Sequence, residues 1–283
     1  MKNINMKYLI VGKMGQLGRE FVNEFTRRGY KFAAFARELM DVAEKEQVAR
    51  VFDNERPDVV INCTAYNDVD GTENDICAAN KTNVIGIGNL ISAAKKHSSF
   101  LIHYSTDYVF DGISTGPYSE DDIPNPLNNY AKSKFAGENS VCEELNRFLL
   151  FRVSWVYGQG DQNFIRKFLN WSSSKKVVKI ATDEVSIPTS TRLIVELTLA
   201  AFDAGLTGLY HLVPSGYCSR YDWAEAIKEI LRLDVVLEKC SKESFCLPAK
   251  RPGYSVLSNQ KLLTALSITA PDWKEELKWF LSK

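Results

Sequence analysis

The chain lacks any Cys-x-x-Cys pair: its six cysteines stand apart at positions 63, 77, 142, 218, 240 and 246. That spacing excludes a clustered zinc site and a disulfide framework, and reads as the thiols of a reducing compartment. Histidine is scarce, and His97, His103 and His211 show no ligand spacing, so no metal site is assigned. Net charge is absent too, with 35 Lys and Arg against 35 Asp and Glu. No global field then draws the chain to nucleic acid or to an anionic membrane. Its longest apolar runs are only strand-sized, which argues against a membrane span, and the opening MKNINMKYLIVG does not read as a signal peptide. No internal repeat is found. A cytoplasmic globular protein is expected, and 283 residues suffice for one large or two smaller cores.

What the chain does have is a regular alternation of strand and helix patterns. KYLIV (7–11) runs into a glycine turn of Gly12, Lys13, Met14, Gly15, Gln16, Leu17 and Gly18, and then into a helix carrying Phe21, Val22 and Phe25. Glycines so spaced allow a tight turn and a close backbone approach, with a pyrophosphate seated at the helix N-terminus. YKFAAF follows and ends at Arg37, where an NAD site would show an acid; an arginine suits a 2′-phosphate, and Lys13 adds charge nearby. NADPH is therefore expected, with NADH as the alternative. Residues 43–53 are helical in pattern, PDVVINCTA (57–65) is a buried strand ending at the small residues Cys63, Thr64 and Ala65, and Asp75–Lys96 is helical again. FLIHYS and then FLLFRVSWVYG (148–158) read as further strands. The fold class is α/β: a doubly wound parallel Rossmann sheet with a smaller α/β substrate-binding domain.

Beyond Gly158 the rhythm loosens. Helices are expected at Phe164–Trp171, Arg192–Ala204 and Tyr221–Leu233, a late strand GLYHLV (208–213) that rejoins the sheet, and a helix from Asp272. VVKIATDEVSIPTS and VVLEK carry short strands, and 245–258 is rich in turns. The dinucleotide-binding domain is set at 1–157, joined by elements near 185–213, and the smaller domain at 158–184 and 214–283.

The stretch His103–Glu138 carries the chemistry. Its strand delivers Ser105, Thr106 and Asp107 at a C-terminal end, where open parallel sheets bind ligands. Tyr130 and Lys134 follow four residues apart on one helix face. A free tyrosine has a pKa of about 10. An ammonium beside it favours the phenolate and should lower that value towards the working range.

Together these residues resemble the extended short-chain dehydrogenase/reductases, in the branch that reduces 4-keto nucleotide sugars. The resemblance spans nearly the whole chain: GKMGQLG, PDVVINCTAYNDVD (57–70), NVIGIGNL (83–90), HYSTDYVFDG, PLNNYAKSKFAGE (126–138), FRVSWVYG, Asn163-Phe164, the IPT turn at 187–189, LYHL and KRPGYSVL (250–257). It implies a Thr106, Tyr130, Lys134 triad in which Tyr130 protonates the sugar C4 oxygen, Lys134 holds the nicotinamide ribose and tunes Tyr130, and Thr106 orients the carbonyl. It extends the cofactor surface to Asp41 and Val42, and implies a substrate surface of Val69, Thr106, Asp107, Tyr108, Trp155, Asn163 and Arg251, the last pairing with the diphosphate. The implied partner is a nucleotide-sugar substrate, a dTDP-linked 4-keto-6-deoxy sugar; a homodimer is compatible with it. Asp107 is followed by Tyr108, not by the glutamate with which dehydratases of this superfamily eliminate water. Cys63-Thr64-Ala65, Asn67-Asp68 and the DEVSIPT turn (183–189) depart from the family pattern and leave the sugar open. The alternatives are another 4-keto nucleotide sugar, or a non-catalytic NADP-binding regulatory subunit of a partner enzyme.

Overall fold

The computed structural model describes residues 6–283; residues 1–5, the start of the expected first domain, lie outside it. Five strands rich in apolar residues, β1 (Lys7–Val11), β2 (Lys31–Phe35), β3 (Val59–Asn62), β4 (Phe100–Thr106) and β5 (Phe148–Val153), join the edge strand Gly208–His211 in one sheet. The order is 208–211, β5, β4, β3, β1, β2, and every pairing is parallel. β3, β4 and β5 are buried along their whole length. That is why they read as continuous apolar runs and not as alternations.

Alternate side chains feed two cores. Tyr8, Ile10, Ile61, Ile102 and Phe151 pack on one face with Phe21 and Phe25 of the helix Gln16–Arg28 and with Ile194 and Leu197 of Thr191–Asp203. Leu9, Val11, Val60, Leu101 and Leu150 pack on the other face with Phe52 of Lys45–Glu55 and with Leu90 and Ile91 of Gly86–His97. The period of two sends neighbouring residues to opposite faces. A third core gathers Phe110, Tyr118, Tyr157, Phe168, Ile180, Trp223, Trp273 and Leu277. Val236–Cys240 pairs there in parallel with Val177–Ala181.

Strand order reverses between β1 and β3, and the glycine turn sits at that switch point. Gly12 has φ +85°, and a Cβ there would lie 3.0 Å from Thr64 Cγ2. Its N–H and that of Lys13 both donate to Phe35 O, at 3.0 and 3.1 Å. The ends of β1, β2 and β3 are thereby drawn together.

Three local expectations need correction. FLLFRVSWVYG is not one strand: β5 stops at Val153, Trp155 has φ +39°, and Val156–Tyr157 pairs with Thr189–Ser190. The helix expected over 75–96 is interrupted by a π-helical stretch at Lys81–Ile85. An additional helix, Gln260–Leu266, follows the turn-rich segment.

Candidate active site

The glycine turn was tested as a pyrophosphate cradle. A Cβ on Gly18 would sit 2.2 Å from Gly12 O, so only glycine lets the helix close on the turn. A Cβ on Gly15 would meet only Gly12 O, at 3.5 Å, which leaves room above the backbone. No side chain caps this helix, so its first N–H groups are left to a ligand. These features fit a dinucleotide. Arg37 is exposed at the end of β2 and pairs with Asp41 at 2.9 Å.

Not every expected cofactor residue offers its side chain. Gln16 Oε1 accepts from Gly158 N–H (3.0 Å) and Asn163 Nδ2 (2.7 Å). Val42 is buried in the core, where Gly86 makes room for it. Val42 can offer only backbone to a cofactor, and the Gln16 side chain is engaged through its oxygen. Met14 and Ala65 are exposed, and Lys13 and Leu17 are half-buried. Thr64 is folded back on Asn62, its hydroxyl donating to Oδ1 at 2.6 Å. Burial pushes the Cys63 thiol up, so it stays protonated.

The helix Asn129–Glu144 begins at Asn128, whose side chain accepts from Ala131 N–H at 2.8 Å. Its first turn is held from behind by the π-helical stretch, which aims Asn83 at it. Asn83 accepts from Tyr66 N–H (2.9 Å) and donates to Tyr66 O (3.0 Å) and to Ser133 Oγ (2.9 Å). Ser133 in turn donates to Tyr130 O at 2.7 Å. A Cβ on Gly137 would lie 2.2 Å from Asn83 O, so glycine permits the close packing.

That helix brings Tyr130 to the end of β4, near Thr106 and edge-on to Tyr108. Lys134 is buried and donates to Tyr104 O at 2.6 Å. The expected depression of the phenol pKa is not found. Burial raises Tyr130 to about 12, with nearby Thr106 opposing, and Lys134 is not among the groups that act on it. Burial also lowers Lys134, to about 8, with Glu138 opposing. Desolvation disfavours both charged forms and outweighs their attraction. The site thus holds a neutral phenol, the form a proton donor needs.

Asp107 belongs to the packing beneath the cleft. The hydroxyls of Thr106 (3.2 Å), Ser154 (3.2 Å), Ser186 (3.0 Å) and Ser255 converge on its buried carboxyl group. Burial raises its pKa, and these hydroxyls, Ser255 foremost, pull it back. Hydrogen bonds to a charged group are worth about 1.5–3 kcal/mol each. Asp107 therefore ties the end of β4 to Val185–Ser186 and to the segment around Ser255, with Oδ2 shared among three serines and Oδ1 turned to Thr106. It also draws Ser154 inward, which accounts for the break in the strand before Trp155.

The remaining residues line one side of the strand end. Tyr108 stands edge-on to Tyr130, with centroids 6.3 Å apart. Trp155 stacks on Trp223 at 5.5 Å, and Arg220 lies over its ring at 3.6 Å while approaching Glu184 at 3.4 Å. Val69 is half-buried in the segment after β3, next to Asp70. Arg251, expected to await a diphosphate, is paired with Asp70 at 2.7 Å. Asn163 is buried as the cap of the helix Phe164–Ser174, accepting from Arg166 N–H at 3.0 Å, and its amide donors are spent on Gln16, Gly158 and Gly160. Sequence reasoning missed Asn83, Arg220 and the buried set of Glu138, Arg152 and His211. Arg152 had a visible signal: an arginine inside an apolar strand asks for a buried partner.

A doubly wound sheet with Thr, Tyr and Lys gathered at a strand end beside a glycine-lined turn defines a Rossmann-fold oxidoreductase of the extended short-chain type. The chain belongs to the RmlD substrate binding domain family, whose model matches residues 6–283. It is 35% identical over 286 residues to a dTDP-4-dehydrorhamnose reductase of Burkholderia thailandensis, covering 95% of this chain and 96% of that one. Among solved structures it resembles a dTDP-4-dehydrorhamnose reductase of Clostridium acetobutylicum, with TM-score 0.94, 36% identity and coverage of 98% and 99%. The Bacillus anthracis dTDP-4-dehydrorhamnose reductase in complex with NADP matches with TM-score 0.94, 30% identity and the same coverage.

Proposed function

We propose that this protein reduces the 4-keto group of dTDP-4-dehydrorhamnose with NADPH, giving dTDP-L-rhamnose, and that Tyr130 is the proton donor. The observation that carries the reading is the placement of Tyr130 and the buried Lys134 on one helix face at the end of β4, where Lys134 is anchored on Tyr104 O, 2.6 Å away, and Thr106 closes the strand. NADPH, when bound, supplies the hydride. The chain supplies placement and the proton. Thr106 orients the carbonyl, Tyr130 delivers its proton to the oxygen as charge develops there, and the Lys134 ammonium offsets that charge. The glycine turn and the N-terminus of its helix hold the pyrophosphate, and Arg37 and Lys13 face the 2′-phosphate. Tyr108, Trp155 and Arg220 border the sugar side; Arg251 reaches a diphosphate only by sharing Asp70.

On this reading residues 1–157, with elements near 185–213, hold the dinucleotide, and 158–184 with 214–283 hold the nucleotide sugar. A cytoplasmic location and a homodimer are consistent with it. Among the described residues no helix is long and apolar enough to cross a membrane.

Purified protein mixed with NADPH and dTDP-4-dehydrorhamnose should consume the absorbance of the reduced nicotinamide. Tight NADPH binding without turnover of this or any related 4-ketosugar would instead support the regulatory-subunit reading. Arg37→Ala should weaken NADPH about tenfold, the weight of one lost charge-assisted contact of about 1.4 kcal/mol, and leave NADH nearly unchanged. Titrations that show equal losses for both cofactors would refute the role of Arg37.

A further inference from the structure

Glu138 and Arg152 form an ion pair whose side chains are only 3% exposed, between the helix Asn129–Glu144 and β5. Arg152 Nε lies 3.1 and 3.2 Å from the two carboxylate oxygens, and Nη2 also donates. Replacing a buried ion pair by apolar side chains is often neutral or stabilising, so the pair needs a reason other than stability. We propose that Glu138 is a positioning residue for the reduction: its clamped carboxylate, one turn from Lys134 on the same helix face, keeps the Lys134 ammonium charged beneath Tyr130. The inference rests on the reductase reading and deepens it.

The surroundings leave no other anion for this task. On β4, Tyr104 offers Lys134 its carbonyl, and burial keeps its phenol protonated. His103 is buried, hydrogen-bonded to Asn62 at 3.1 Å, and held neutral by burial and by Lys134 itself. Tyr130 on the same helix and Cys63 at the end of β3 are both neutral through burial. Asp107 bears on Tyr130, whereas Glu138 is the one group that opposes burial at Lys134.

The far side of the pair is also arranged. His211, on the edge strand, has Nδ1 3.1 Å from Tyr118 O, so Nδ1–H donates there and Nε2 is free to accept from Arg152 Nη1 at 3.3 Å. Burial first, then Arg152, hold His211 down at about 3, so it stays neutral. Phe110 covers the guanidinium at 5.1 Å. On the helix, Cys142 is a thiol that burial pushes up. Beyond His211, Glu120 accepts from the His211 backbone N–H at 2.7 Å and lies in the field of Arg152, with burial raising its pKa; it faces the far side of the clamp, and Glu138 remains the carboxylate that bears on Lys134. A Lys with a lowered pKa is charged below that value and loses its charge above it, whereas the Tyr130 phenol, at about 12, keeps its proton throughout.

The test is the pH profile of kcat/KM for ketosugar reduction, with the ε-carbon titration of 13C-labelled lysine in the NADP-bound protein as a readout independent of turnover. The native profile should fall above pH about 8. Glu138→Gln should move that fall, and the Lys134 titration, about one unit to the acid side. Activity at pH 8 then drops about fivefold, while activity near pH 6 changes little, and Glu138→Asp should restore the position. Should Glu138→Gln fail to fold, the double variant Glu138→Gln, Arg152→Met removes both charges and should show the same acid shift. A uniform loss of rate at every pH, with the Lys134 titration unmoved, would mean the pair is merely structural and would overturn the proposal. An acid-shifted Lys134 titration in a protein that turns over no ketosugar would uphold the electrostatic role and reject the reductase reading.

Discussion

Tyr130→Phe should lower kcat by about a hundred- to ten-thousand-fold while leaving the dissociation constant for NADPH and the melting temperature almost unchanged. That is the usual weight of general acid catalysis, and it corresponds to about 3–5 kcal/mol of barrier. The ring is kept, so its edge-on contact with Tyr108 and its packing persist. Only the hydroxyl and its polar contact near Thr106 are lost. A neutral hydrogen bond at a half-buried site is worth about 1 kcal/mol, too little to unfold the chain. Single-turnover kinetics on NADPH-loaded protein would isolate the chemical step, and a variant within threefold of the native rate would remove Tyr130 from the proton path.

Gly18→Ala should weaken NADPH at least about a hundredfold and lower stability. The added Cβ would lie 2.2 Å from Gly12 O, 2.8 Å from Lys13 Cα and 2.9 Å from Gly12 C. All three are backbone atoms, so no flexible side chain can swing aside and the turn must move away from the helix. Overpacking of this kind costs about 1–3 kcal/mol, and the shift also misplaces the donors meant for the pyrophosphate. Gly15→Ala is the control, because its Cβ would meet nothing nearer than Gly12 O at 3.5 Å. It should melt with the native protein yet bind NADPH poorly, since the methyl occupies the space the phosphates need. Fluorescence titration and thermal melts would separate the two; native affinity in both would mean the dinucleotide lies elsewhere.

Much of the site was legible because its signals are local. The glycine turn, the strand end at Thr106 and the Tyr130/Lys134 spacing each lie within one short element, and the backbone that carries them is dictated by apolar period and glycine placement. Less legible were the residues whose partners are distant in sequence. Asp107 reads as a cleft residue until Ser255, 148 positions away, is seen to bind it. Arg251 reads as an idle cation until Asp70 is found 2.7 Å away. The lowered phenol pKa failed for a related reason: helical spacing puts an ammonium near Tyr130, but spacing says nothing about the burial that desolvates both groups.

By itself the sequence determined a parallel α/β sheet, a glycine turn at its switch point and the candidate trio of Thr106, Tyr130 and Lys134 proposed to react. Those follow from the periods of strand and helix and from side-chain chemistry, which need no knowledge of long-range neighbours. Only the tertiary structure decided which charged and hydroxyl groups are already satisfied, where the strand after Val153 breaks, and that the phenol and ammonium are held nearer neutrality than their spacing suggests. Hydrogen-bond satisfaction and desolvation depend on what is packed around a group in space, and the linear order of residues does not contain that.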